Sequence, residues 1–165
     1  MIDIFDPTDG YWFVGNDQSK VYSSARTGYV SVSDSTYKDW ASQHATPTVQ
    51  SAQDLLNVLI NRWLPLYFAK GVQIKSTGTS SLNGTYSMDD ANQQRITSIA
   101  TSIAAGRGLP GGGSTFNYQG HTFNADQFLD FATAAENWVY AVGQALGSIV
   151  LNSSGSMPSQ PVTIS

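Results

Sequence analysis

The chain has 165 residues, 41% hydrophobic and 12% aromatic, enough apolar surface for one packed domain or two small subdomains sharing a core. Only 12% are charged, against about 25% in ordinary soluble domains, so Ser, Thr, Asn, Gln and Gly must cover the outside; charge depletion of this kind is found in the buried centre of an interface. A net charge of −4 with eight scattered basic residues excludes a phosphate-neutralising patch, and the lack of Cys excludes disulfides, a thiol nucleophile and a thiolate metal site.

Met1–Asp9 (MIDIFDPTD) is acidic and contains a proline, which matches neither a signal nor a transit peptide. No apolar run reaches the roughly 18 residues of a membrane span. Asp3, Asp6, Asp9 and Asp17 bring carboxylates together, but the alternating spacing and distal Glu of a calcium loop are missing. They read as a solvated acidic arm.

Tyr11–Val14, a polar turn over Gly15–Lys20 and a second β-prone run, Val21–Ser24, predict a hairpin. A third short run, Tyr29–Val32, follows a turn at Gly28. Asp34 or Ser33 can then cap a helix carrying Tyr37 and Trp40. Because Tyr11, Trp12 and Phe13 are consecutive, a strand must present at least one of them to each face. Core or subunit packing is their expected use, ahead of sugar recognition.

Residues 51–70 form a long helix, with Ser51 and Asp54 as a capping box and Gly71 just past its end. It is apolar almost all round, which implies burial from more than one side, and Pro65 is expected to kink or end it. Gly71–Tyr86 begins β-prone and turns at Asn83-Gly84. Ser87 is placed as the cap of a helix from about Met88 to Ala105, with Asp90 as its N3 partner and Gly106 beyond its end. Ile96, Ile99, Ala100 and Ile103 build one narrow apolar face on it.

Gly106–Ser114 is a turn-rich connector, and Thr115–Tyr118 with His121–Phe123 reads as a hairpin across Gln119-Gly120. Asn124, with Gln127 at N3, caps a closing helix. Its apolar positions are Phe128, Phe131, Ala135, Trp138, Val142, Ala145 or Leu146, and Ile149. Asn152–Ser165 is uncharged, rich in Ser and Pro and without periodicity, the pattern of an extended tail that orders on docking.

The fold class is therefore α+β. It comprises an N-terminal β-hairpin, a short helix, a long Pro-interrupted helix, a second helix, a small hairpin, a long amphipathic C-terminal helix and an extended tail. The organisation reads as an arm and hairpin element over 1–32, a helical α+β domain sharing the same core over 33–151, and the tail over 152–165.

Two segments carry a family resemblance. Val21–Ala25 (VYSSA), Tyr29, Val30, Asp34, Tyr37, Trp40 and Pro47 resemble the opening of many small proteins of bacteriophage tail gene clusters. A second stretch, carried by Leu82, Gly84, Thr85, Tyr86, Gln94, Ile96, Ile99, Pro110, Gly111, Gly112, His121 and Phe123, is similar to a recurring domain of phage and prophage tail proteins. Together they span about Tyr11–Val150. Members often have an additional Asp before the hairpin glycine, where this chain has only Tyr118-Gln119-Gly120. The resemblance brings no catalytic residues with it. It implies a virion structural protein, made in the host bacterial cytoplasm, that assembles in multiple copies with fibre, baseplate or neck components. Alternatives are a non-virion tail-fibre assembly chaperone and a glycan-binding or hydrolytic module at the tail tip.

Motifs with other possible chemistry are poorer. Gly106–Gly111 matches G-x-G-x-x-G but follows a helix, contains Pro110 and opens a strand, the reverse of a dinucleotide fingerprint. Ser114, His121 and Asp126 lack a nucleophile elbow. The sole Glu is Glu136, which disfavours paired-carboxylate hydrolysis. No catalytic residue, cofactor, metal, nucleic acid or membrane is expected. The candidate interface is Tyr11, Trp12 and Phe13 with Met157, Pro158, Pro161, Val162 and Ile164 of the tail.

Overall fold

The structure, a computed structural model, describes residues 9–165. The arm up to Thr8, with Asp3 and Asp6, lies outside the described residues. The fold is α+β and divides into two compact units: the residues up to Leu66 with Val142–Met157, and Tyr67–Ala141 with Pro158–Ser165.

In the first unit, β1 (Tyr11–Val14), β2 (Asp17–Ser23) and β3 (Gly28–Ser31) form an antiparallel meander. α1 (Ser35–Ala41) follows, and β4 (Thr48–Val49) adds parallel to β1, giving the order β3-β2-β1-β4. Tyr11 and Trp12 point to opposite faces, as a strand requires, and both are buried. Tyr11 meets α1, its ring 5.2 Å from Tyr37 and 5.1 Å from Trp40. Trp12 lies opposite Tyr22, and Tyr22 opposite Tyr29, so one face carries an aromatic row across three strands. Tyr29 donates from its hydroxyl to the Val150 carbonyl at 3.1 Å. Both faces of the sheet are therefore covered within this unit, and only Phe13 of the three aromatics stays half-buried.

Asp34 caps α1 as expected, accepting from the Tyr37 amide at 3.1 Å. Its other oxygen takes the Arg26 guanidinium at 2.7 Å, which holds the carboxyl below its ordinary range. Ser51 and Asp54 form the capping box of α2 (Ala52–Val58). The helix then widens into one π-helical turn, Leu59–Trp63, in which the Leu64 amide reaches the Leu59 carbonyl, and resumes as α3 (Leu64–Lys70). Pro65 therefore neither ends nor breaks the helix. It follows a turn whose bonds already skip five residues, a common way to absorb a missing donor. Burial is one-sided, contrary to the all-round expectation: Leu55, Leu56, Leu59 and Trp63 are buried, whereas Ile60 and Leu66 are each 44% exposed.

The second unit begins within α3, at Tyr67. β5 (Val72–Ser76) and β6 (Gly84–Tyr86) are antiparallel and joined through a 3-10 turn at Ser80–Leu82. Asn83-Gly84 is consequently no tight turn; Asn83 is extended and its side chain accepts from the Ser76 amide at 2.7 Å. α4 (Asp90–Ala104) is capped by Asp89, not Ser87. Ser87 instead donates to the Asp89 carboxylate, helping to hold that carboxyl in its capping pose. A loop with a 3-10 turn at Pro110–Gly112 buries Leu109 and leads to the hairpin β7 (Phe116–Tyr118) and β8 (His121–Phe123). Asn124 and Gln127 close the expected capping box on α5 (Ala125–Asn152), with bonds of 2.9 and 3.0 Å. The tail does not extend away. Val162–Ile164 form β9, parallel to β5, completing the order β6-β5-β9.

The core of this unit is aromatic. Tyr86 packs 4.6 Å from Phe131, Phe123 lies 5.3 Å from Phe131, and Tyr118 meets Phe128 edge-on at 5.6 Å. α5 supplies Phe128, Phe131, Ala135 and Trp138 here and Val142, Leu146 and Ile149 to the first unit, all buried.

Two predictions follow from this packing. Gly71 has φ +89°, and a Cβ there would press on the Tyr86 carbonyl. Gly71→Ala is expected to cost about 2 kcal/mol or more in chemical denaturation. Gly106→Ala, with φ +72° but open space around it, should cost about 1 kcal/mol. Burial raises the phenols of Tyr22, Tyr29, Tyr86 and Tyr118 above their ordinary value. Unfolded tyrosine ionises near pH 10, so their contribution to stability is complete below about pH 10 and is lost as pH rises toward the folded values. Phenolate absorbance should therefore rise together with loss of near-ultraviolet circular dichroism, and Tyr22→Phe should move that transition to higher pH.

Candidate functional site

α5 is amphipathic, so the face turned from its apolar stripe carries polar residues at helical spacing: Asp130, Thr133 and Asn137, beside Ala134 and the buried Trp138. These five form one wall of a groove of about 720 Å³. The opposite wall is the C-terminal segment, Pro158, Ser159 and Val162–Ser165, with Thr77 at one end.

Val162, Thr163 and Ile164 all line it, although successive strand residues point to opposite faces. No residue of β5 itself is in the lining. A groove on the face of the sheet would touch alternate residues of both strands, so this one runs along the free edge of β9.

The backbone pattern defines that edge. The Thr77 amide donates to the Ile164 carbonyl at 3.0 Å, and β9 pairs in the parallel register Ile74–Val162, Lys75–Thr163 and Ser76–Ile164. In a parallel ladder one residue bonds to both neighbours of its partner while the next turns its groups away. Val162 and Ile164 therefore face β5, and the amide and carbonyl of Thr163 face outward. Gln160 and Ser76 tie the strand down at its two ends: the Gln73 amide donates to the Gln160 side chain at 2.8 Å, and the Ser76 hydroxyl to the Ser165 carbonyl at 2.9 Å.

Charge in the groove walls comes from Asp130, exposed on α5. Trp138 contributes packing: Tyr67 stacks on it at 5.8 Å and Phe68 meets it edge-on, also at 5.8 Å. Its indole N–H is buried without an acceptor among the described residues. A smaller hollow of about 250 Å³ lies between α4 and α5, lined by Met88, Ile96, Ala135 and Val139, with Tyr140, 70% exposed, at its rim.

The sequence-derived candidates separate. Tyr11 and Trp12 are core residues of the first unit, and Phe13 is half-buried there. Met157 belongs to the first unit and Pro161 is exposed beside β5 and β6. Pro158, Val162 and Ile164 line the groove. Asp130, Thr133 and Asn137 were missed, because polar residues on an amphipathic helix read as a solvated face. The outward backbone of Thr163, within the candidate tail, depends on a pairing of residues far apart in sequence.

His121 has a structural setting. Its Nδ1 donates to the Ser81 carbonyl at 2.8 Å, its ring lies 4.7 Å from that of Tyr86, and it sits where a side chain on Gly84 would be. Gln119, with φ +49°, spends its amide on Ser87, accepting from the amide at 2.8 Å and donating to the carbonyl at 3.0 Å. Asp17 accepts from Ser19 and pairs with Lys20 at 3.7 Å. Among the described residues no three His, Asp or Glu side chains gather as metal ligands, and no helix of the described residues is long and apolar enough to cross a membrane. No family model, curated protein or solved structure matches the chain.

The docking of β9 makes a direct prediction. Ile164 is 5% exposed, and Ile164→Ala is expected to cost about 2–3 kcal/mol, read by chemical denaturation. Thr163→Ala, whose side chain is exposed, should stay within about 0.5 kcal/mol.

Proposed function

We propose that this protein is a structural component of a bacteriophage tail, acting through protein–protein assembly in multiple copies and not as an enzyme. The observation that carries the reading is the scarcity of charge: eight basic and twelve acidic residues in 165, on a chain that still packs two cores. Charged groups are costly to remove from water, whereas hydroxyls and amides exchange water for protein partners at little net cost. A surface of Ser, Thr, Asn and Gln can therefore be covered by neighbours with a small desolvation penalty. That is the requirement on a subunit surrounded by others.

Part of the existing charge is already neutralised locally. Arg26 is bound to Asp34 at 2.7 Å and Lys20 lies 3.7 Å from Asp17. The resemblance of the VYSSA hairpin and of the Leu82–Phe123 stretch to phage tail-cluster proteins supplies the biological setting. The fibre, the baseplate and the neck are the candidate neighbours.

Peptide mass spectrometry on density-purified particles from a phage that encodes the protein tests this. The expected result is stoichiometric presence, at a ring-like number on the order of six or twelve copies. Absence from particles, with the protein abundant in the lysate, would overturn the structural role and identify a factor that acts before assembly is complete.

A further inference from the structure

We propose that the groove between α5 and β9 is a docking site for an extended peptide segment carrying a Lys or Arg, which adds to the sheet as a strand beside β9. The inference goes beyond the tail-component reading and rests on the groove alone.

Three observations select this occupant. First, the Thr163 amide and carbonyl point out of the sheet into a groove, and an unpaired strand edge is met most directly by another backbone. Second, the opposite wall is a helix face presenting Asp130, Thr133 and Asn137, polar groups able to meet side chains that an added strand turns toward them. Third, Asp130 is the charged side chain in those walls and has no ion pair among the described residues, which favours a cationic side chain on the segment and disfavours an acidic one. A glycan fits less well. Sugars stack on open aromatic faces, and Trp138 in the wall is 3% exposed and covered by Tyr67 and Phe68.

The site is also short. Pro161 has no amide to offer, so the edge cannot be extended toward the preceding residues. Recognition is confined to the neighbourhood of Thr163, which suits a specific segment and resists indiscriminate edge-to-edge pairing.

The test is an amide-resonance titration of the full chain with an acetylated, amidated peptide of about seven residues, alternating valine and threonine around a central lysine. Saturable shifts are expected at Thr163 and along Asp130–Trp138. N-methylation of alternate peptide amides should weaken binding about tenfold or more, and replacing lysine by glutamine about threefold. Asp130→Asn should abolish the lysine–glutamine difference. Thr163→Pro, which removes an outward amide while leaving the ladder to β5, should weaken binding about fivefold or more.

Equal binding of the N-methylated peptide, or the absence of shifts at about 1 mM peptide, a weak-binding limit, would overturn strand addition. So would shifts by a neutral dextran oligosaccharide at these residues where the peptide gives none, and that result would assign the groove to glycan. Because the titration uses the purified chain, its failure leaves the composition of the particle untouched.

Discussion

The apolar stripe of α5 is the constraint on which the rest depends. Phe128, Phe131, Ala135, Trp138, Val142, Leu146 and Ile149 recur every three or four residues and all are buried. A helix of 28 residues with such a stripe is unstable in water unless other elements cover it. In the second unit the cover is aromatic, from Tyr86, Tyr118 and Phe123. In the first unit, the Tyr29 hydroxyl bonds to the helix at Val150. The polar face of α5 is what remains once this demand is met, and in the second unit it becomes a wall of the groove.

With few charges available, positions that other proteins fix with ion pairs are fixed here by neutral hydrogen bonds. Gln119 grips Ser87 through both ends of its amide. Gln127 completes the cap at Asn124 and also donates to the Thr79 hydroxyl at 3.0 Å. Gln160 stands in for a strand carbonyl by accepting from the Gln73 amide. Each such bond contributes on the order of 1 kcal/mol, comparable to a good exposed ion pair and without the sensitivity to salt. Neutral bonds thus stand beside the Asp34, Asp54 and Asp89 caps and the Arg26–Asp34 pair in positioning the elements.

Elements governed by local rules were legible in the sequence. The N-terminal hairpin, the Asp34, Ser51 and Asn124 caps, the Gln119-Gly120 turn and the stripe of α5 all follow from residue spacing and short-range bonding, although the polar residues 17–20, expected in the hairpin turn, belong to β2. What was not legible depends either on a choice between local alternatives that the residues leave open or on contacts between distant residues. Nothing near Ser87 reveals that Asp89 will cap α4, since either side chain can serve and the choice rests on local φ and ψ. Pro65 signals a disturbance, but the π-helical turn at Leu59–Trp63 is one of several ways to absorb it. Two units built from interleaved stretches cannot be expressed by boundaries drawn along the chain. Tyr11 and Trp12 were correctly read as aromatics on opposite faces, but that both faces would be covered depends on α1 and on the residues around Val150.

β9 shows how far a polar tail can be misjudged from composition. A segment such as NSSGSMPSQPVTIS holds too little apolar surface to fold by itself. It orders because β5 lacks a partner on one side, Ile164 finds a place in an existing core, and Gln160 and Ser76 tie the three-residue ladder at its ends. The same economy leaves β9 as the new edge. A sheet that recruits its own tail to cover one edge transfers the exposed backbone outward by one strand; it does not eliminate it. Here the transferred edge is short, is bounded by Pro161 on one side, and faces a helix with Asp130 instead of bulk solvent. Strand pairing is therefore restricted to a segment able to satisfy both Thr163 and the helix face, which is a stricter condition than an open edge would impose.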